Sequence, residues 1–202
     1  SKTRLFIKEK LKRNIKINVE QKQHHFLKNV LRSKISDKIM IFDNQTGEWF
    51  AKIISINRNK TVLEVLEKNR NKPVETNIWL AFAPIKQSRL NISIQKATEL
   101  GVAKFIPCKT HYTNNKFINY KSLELNIIEA SEQAERLSLP TMEKLISLEK
   151  FIKNHPEDRA LIFCNEKNKK SSDISSSISN LRSKFTKWTI LVGPEGGFSD
   201  EE

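Results

Sequence analysis

The sequence predicts an α/β protein in two parts, a small β-barrel over residues 1–72 and a parallel α/β layer over residues 73–202. Three observations predict it. Short strand patterns separated by polar turns crowd the first third of the chain, as they do in small barrels. Lys68-Asn-Arg-Asn-Lys-Pro73 is polar and ends in proline, which marks a linker. Beyond it, continuously apolar strands alternate with helical patterns, the arrangement of a parallel sheet covered by helices on both faces.

Taken in order, Glu20 to Leu31 has the spacing of a short helix. Lys38 to Phe42 alternates into an apolar strand, and Asp43-Asn-Gln-Thr-Gly47 places glycine where a hairpin needs it. Trp49 to Ile56 and Thr61 to Leu66 follow as strands, joined by the turn Asn57-Arg-Asn-Lys60. Ile78 to Ala83 is the first buried strand of the second part. Ser88 to Leu100 is helical, with Leu90, Ile94 and Ala97 on one face and Gly101 as its C-cap. Phe105 to Cys108 is a short strand, and Leu123 to Leu137 a helix that stops before Pro140. Ala160 to Cys164 is the next strand. The Ser/Lys/Asn-rich stretch Glu166 to Lys187 keeps Ile174, Ile178 and Leu181 at helical spacing, so a surface helix is expected there. Thr189 to Val192 is the last strand.

Composition narrows the function classes. The chain carries 36 basic against 23 acidic residues, a net charge of +13, which concentrates polyanions and favours a nucleic-acid partner. Hydrophobic content is 38% and no apolar run approaches the length of a membrane span, so no membrane partner is expected. The first residues, Ser-Lys-Thr-Arg-Leu-Phe, lack the apolar core of a signal peptide. Cys108 and Cys164 lie far apart with no metal-ligand spacing around them. Two unpaired cysteines suit a reducing cytoplasm, and no metal site is expected.

The chain's end holds its most specific string. Thr189-Ile-Leu-Val192 runs directly into Gly193-Pro-Glu-Gly-Gly197. In α/β sheets ligands sit outside the carboxyl ends of strands, where glycines let backbone approach them. Ser199 with Glu202 has the spacing of a capping box. Lys86 and Arg89 follow the Ile78 strand at the same rim, with Lys96 further along the helix. Glu129, Glu132, Gln133 and Arg136 share one polar helical face. Near the start, Arg4 and the segment His24-His-Phe-Leu-Lys-Asn-Val-Leu-Arg32 supply cations, of which Lys28 and Arg32 are candidates for RNA backbone contact.

Together these strings resemble the RsmE-type methyltransferases of the SPOUT superfamily, which methylate N3 of one uridine in 16S ribosomal RNA of the small subunit. The matching pieces are His25 to Arg32, Asp37-Lys-Ile with Phe42-Asp43, Gln95-Lys-Ala-Thr-Glu-Leu-Gly-Val102, Glu129-Ala-Ser-Glu-Gln133 with Arg136 and Pro140, and Leu191 to Gly197. They fall in the family's order along essentially the whole chain. The resemblance implies an N-terminal barrel like those of PUA and OB RNA-binding domains, then an α/β domain with a C-terminal trefoil knot. It implies a homodimer and binding of S-adenosyl-L-methionine in the knot. The cofactor residues so implied are Phe163, Asn165, Glu166, Val192, Gly193, Pro194, Glu195, Gly196 and Gly197, and the RNA residues Arg4, Lys28, Arg32, Lys86, Arg89, Lys96 and Gln133.

Three departures from the family pattern stand out. Ser36 takes the place of a glycine before Asp37. Thr110-His-Tyr-Thr113 replaces a segment that usually carries Glu-Arg. The family pattern continues past Glu202 with a strand, a glycine-containing loop and a closing helix, so the sequence is expected to hold only part of the knot, the cofactor pocket and the dimer interface. Methylation at uracil N3 requires loss of its proton, for which Glu195 is the candidate acceptor, while Arg136 and Lys86 are candidates to stabilise the negative charge. The competing expectation is a non-catalytic RNA-binding module, which has no need of the Gly193–Gly197 string.

Overall fold

The computed structural model describes residues 3–114, 117–165 and 174–202. Contacts divide it into two compact units, Ser1–Val74 with Ser131–Leu139, and Glu75–Ala130 with Pro140–Glu202.

The first unit is a curled five-stranded sheet, a half-barrel whose strands are β1 (Arg4–Phe6), β2 (Lys16–Glu20), β3 (Lys38–Asp43), β4 (Gly47–Ile56) and β5 (Lys60–Asn71) in the order β1-β3-β4-β5-β2. β1 runs parallel to β3 and the other pairings are antiparallel. Register shifts between β4 and β5 bend this long ribbon, as bulges do. Strand alternation puts Ile17 and Val19, Ile39 and Ile41, Ala51 and Ile53, and Leu63 and Val65 into one apolar core, with Leu27 of the following turn. Asp43 shapes the hairpin: its carboxylate accepts from the backbone N–H groups of Gln45, Thr46 and Leu11 and from the Thr46 hydroxyl. Gly47 sits at φ +104°, where a Cβ would strike the Arg70 carbonyl oxygen.

Several expectations need correction here. β1 and β2 were not expected, although Lys16–Glu20 alternates polar and apolar residues, and β5 runs on to Asn71 through most of the expected linker. Pairing explains the extension, because Gly47 and Glu48 of β4 lie opposite Asn71 and Arg70. The expected Glu20–Leu31 helix is a short α1 (Gln21–His25) followed by a π-turn over Phe26–Val30.

The second unit is built on a parallel sheet, β10 (Ala160–Cys164), β11 (Trp188–Val192), β6 (Ile78–Phe82), β7 (Lys104–Lys109) and β8 (Thr141–Met142), in that spatial order. The short β9 (Ile146–Ser147) continues the outer edge of β7. Helix α2 (Gln87–Glu99) buries Leu90, Ile94 and Thr98; Ala97, expected on that face, is half-buried. Gly101 follows at φ +97°, the left-handed conformation expected beyond a helix end. Helix α3 (Tyr120–Gln133) buries Leu123, Ile127 and Ala130. It ends four residues earlier than expected, because Glu135 at φ +58° breaks the helical backbone. Consequently Ala134 is exposed and Arg136 lies beyond the helix. A further helix, α4 (Leu148–Lys153), packs Leu148 and Phe151 against Ala81, Ile106, Cys108 and Leu191. Its N-cap Ser147 accepts from the Lys150 N–H. Helix α5 (Ile174–Leu181) lies where a surface helix was expected. Among the described residues, no helix is long and apolar enough to cross a membrane.

Candidate functional site at the carboxyl ends of the parallel strands

Register brings the site together. β10 and β11 pair with Phe163 opposite Leu191 and Cys164 opposite Val192, so their carboxyl ends lie side by side. On the other flank Val192 pairs with Phe82, and the Ala83 N–H donates to the Val192 carbonyl at 3.0 Å. The segments leaving β10, β11 and β6 therefore open at one edge of the sheet.

The loop after β11 has a defined shape. The Gly197 N–H donates to the Pro194 carbonyl at 2.9 Å, and Gly197 takes φ +69°, which closes a tight turn. Gly193 lies on the ring of Phe198: a Cβ there would be 2.7 Å from Cε2. Phe198 is buried and meets Phe163 edge to face with centroids 4.6 Å apart. A Cβ on Gly196 would stand 3.2 Å from the Tyr112 Cβ. The glycines thus let the loop settle between Phe198 and Tyr112, with Glu195 and Gly196 left exposed. Phe163 and Val192 remain 42% and 40% exposed beside it. An uncovered apolar shelf next to a tight glycine turn suits a ligand with an aromatic ring and a hydrogen-bonding edge.

Of the other residues expected to hold a cofactor, Asn165 donates its N–H to the Phe163 carbonyl at 3.1 Å, and Pro194 is buried within the turn. Glu166 lies outside the described residues. Glu195 is exposed and faces Arg89 of α2, whose Nη1 is 3.6 Å from its Oε1. Both partners are open to water, so the pair orients more than it stabilises. Lys86 caps the amino end of α2 and is exposed, whereas Lys96 is engaged with Glu99 on the same helix. Cys108 is buried beneath the site, and burial pushes its thiol up to about 12; burial also raises Cys164. Neither supplies a ready thiolate, which argues against covalent cysteine chemistry.

The remaining expected residues belong to the first unit. Arg4 is buried, its Nε donating to Glu48 Oε1 at 2.6 Å, so its place is inside the unit and not on an RNA surface. Lys28 donates to the Asn57 carbonyl at 3.1 Å, and Arg32 is exposed at φ +52°. Gln133 is exposed at the end of α3, and Arg136 is half-buried, its Nη2 3.5 Å from the Ser138 hydroxyl. Glu132, from the same motif, accepts from the Phe6 N–H at 2.8 Å and anchors this segment. His24 is buried between Thr61 and the Arg58 carbonyl. Among the described residues, no group of three His, Cys, Asp or Glu side chains could hold a metal.

Two site residues escaped the sequence reading. Phe198 follows the glycines directly, and Tyr112 lies in the segment that departs from the family pattern; only the fold shows that they clasp the loop. Glu202 also contributes, accepting from the N–H groups of Ser199 at 3.0 Å and His111 at 2.7 Å. The first of these is one arm of the expected capping box.

Comparison with known proteins shows the family. Residues 70–202 match the RNA methyltransferase domain family, and residues 19–66 the RNA methyltransferase PUA domain family. The chain is 36% identical to the ribosomal RNA small subunit methyltransferase E of Rickettsia conorii, over 98% of this chain and 80% of that protein. It is 30% identical to the protein of the same name from Buchnera aphidicola subsp. Schizaphis graminum, over 97% of this chain and 80% of that protein. Among solved structures, the ribosomal RNA small subunit methyltransferase E of Neisseria gonorrhoeae bound to S-adenosyl methionine superposes with a TM-score of 0.87. That alignment covers 100% of this chain and 83% of the other, at 20% identity.

Proposed function

The chain belongs to the RNA methyltransferase family, and on that premise we propose that it methylates N3 of one uridine in 16S ribosomal RNA of the small subunit, with S-adenosyl-L-methionine as methyl donor. The observation that carries this reading is the tight Gly193–Gly197 turn, with Glu195 and Gly196 exposed, beside the exposed Phe163 and Val192 at the joined carboxyl ends of β10 and β11. Phe163, Val192 and the Gly193–Gly197 loop would hold the cofactor's adenosine. When bound, the cofactor supplies an electrophilic methyl group on a sulfonium.

The protein's own share is position and charge. Phe163 and Val192 offer the apolar shelf that a bound ring would cover, and the turn closed by Gly197 fixes the loop before any ligand arrives. Glu195 is the acceptor for the uracil N3 proton. Arg89, 3.6 Å from it, is oriented to balance the uracil anion, a role shared with Lys86 at the same rim. Because N3 faces the partner base in a duplex, the target uridine is taken unpaired. Lys28, Arg32, Gln133 and Arg136 of the first unit are the proposed RNA contacts. A cytoplasmic homodimer, divided into an RNA-binding part over residues 1–72 and a methyltransferase part over 73–202, completes the reading.

Calorimetric titration with S-adenosylmethionine tests it. The full-length protein is expected to bind the cofactor, and in it Gly196→Val, whose branched side chain must crowd either Tyr112 or the ligand, is expected to lose that binding while RNA affinity stays largely intact. Equal cofactor binding by the variant would overturn the assignment of the loop.

A further inference from the structure

Within the first unit, the segment from Gln21 to Ser36 exposes apolar side chains that its helix would ordinarily bury. The π-turn is the cause: the Leu31 N–H donates to the Phe26 carbonyl at 2.9 Å, five residues back. At that wider spacing Phe26, Val30 and Leu31 share one side of the turn, while Leu27 alone enters the core. Phe26 is 38% exposed, Val30 59%, Leu31 40% and Ile35 61%. Single π-turns are rare and recur at functional sites.

Charge identifies the occupant. The same segment carries Lys22, Lys28, Arg32 and Lys34 and contains no Asp or Glu. Lys28 is held toward the Asn57 carbonyl, and Arg32 is exposed. An apolar surface interleaved with cations alone fits a polyanion that also presents flat apolar faces. Duplex RNA hides its base faces in the stack and would leave this area wet; an unpaired strand offers bases and phosphates in alternation.

We propose that Phe26, Val30, Leu31 and Ile35 form a stacking face for unpaired nucleotides of the RNA, with Lys28 and Arg32 holding the flanking phosphates. This rests on the reading of the chain as an RNA-modifying protein. It specifies the form of RNA that the first unit takes.

The test measures binding of the full chain to a short single-stranded RNA and to an RNA duplex of the same strand length, each across a salt series. The single strand should bind more tightly. Phe26→Ala should weaken it roughly tenfold, within the worth of one stacked base, leaving the salt slope and duplex binding unchanged. Phe26→Tyr should bind as the parent does. Lys28→Ala with Arg32→Ala should instead flatten the salt slope. Circular dichroism on each variant confirms the fold, which a half-exposed ring does not hold together. Unchanged single-strand affinity in a folded Phe26→Ala variant overturns the stacking face alone. So does an equal loss on duplex, which would make the surface a general contact and not a face for unpaired bases. A parent chain that binds neither RNA overturns both this inference and the proposed function.

Discussion

Glu48 is fully enclosed in the first unit, and Arg4, Asn69 and Arg70 all donate to its carboxylate. Burial alone would raise its pKa, but the hydrogen bonds from Arg70, Arg4 and Asn69 outweigh burial and hold the carboxyl below its ordinary value of 4.5. The folded state therefore favours the ionised form more than the unfolded chain does. That stability is complete above about pH 4.5 and is lost as pH falls through the lower folded value. Glu48→Gln leaves two guanidinium groups facing a neutral amide, and removing one partner of a buried pair costs about 3–5 kcal/mol. Urea unfolding at neutral pH should show a loss of that size, together with a shallower decline in acid. A variant as stable as the parent would mean that the cluster contributes nothing. Ser36 poses the opposite case. It sits at φ +78° where a glycine is usual in the family, with its N–H donating to the Ile53 carbonyl at 2.8 Å. The left-handed conformation costs an L-residue roughly 1–2 kcal/mol, more than the chain entropy that glycine would add. Ser36→Gly should therefore stabilise the protein by about 0.5–1 kcal/mol, read as a higher urea midpoint, and a lower midpoint would refute the strain.

At the scale of elements, the strands that carry the site were the legible ones. β6, β10 and β11 are continuous apolar runs, as parallel strands usually are, and no other pattern competes with them. β5 was cut short because Lys68 to Asn71 is polar; what keeps it extended is pairing with β4, a partner that local composition does not reveal. The π-turn at Phe26–Val30 was equally hidden, since its residues also satisfy helical spacing. At the site, the glycine string was readable as a loop, but the side chains that clasp it come from distant sequence, as Tyr112 does, or from a ring packed back under the turn, as Phe198 does. The clasp makes a definite prediction. Gly193→Ala places a methyl 2.7 Å from a buried ring that has little room to withdraw. Overpacking of this kind costs about 1–3 kcal/mol, and the displaced Phe198 should loosen its contact with Phe163. Thermal unfolding should fall accordingly and cofactor affinity with it. Parent-like values of both would show that the ring does not set the loop's shape.

At the scale of the whole molecule the chain is strongly basic. The excess of 13 positive charges was plain in the sequence and points to RNA, but it says nothing of which atoms react. In the parallel sheet of the second unit Glu195, Arg89 and the glycine loop gather at one edge, which is the proposed place of reaction. The family to which the chain belongs joins the two, with matches to an RNA methyltransferase domain and its PUA domain in succession. Methyl transfer itself is the most direct test. The protein is incubated with small-subunit ribosomal RNA and S-adenosylmethionine carrying a labelled methyl, and the RNA is digested and its nucleosides identified by mass spectrometry. Label should appear in N3-methyluridine at a single site, and Gly196→Val should abolish it while still binding the RNA. Label in another base, or none from a preparation that binds both cofactor and RNA, would contradict the account.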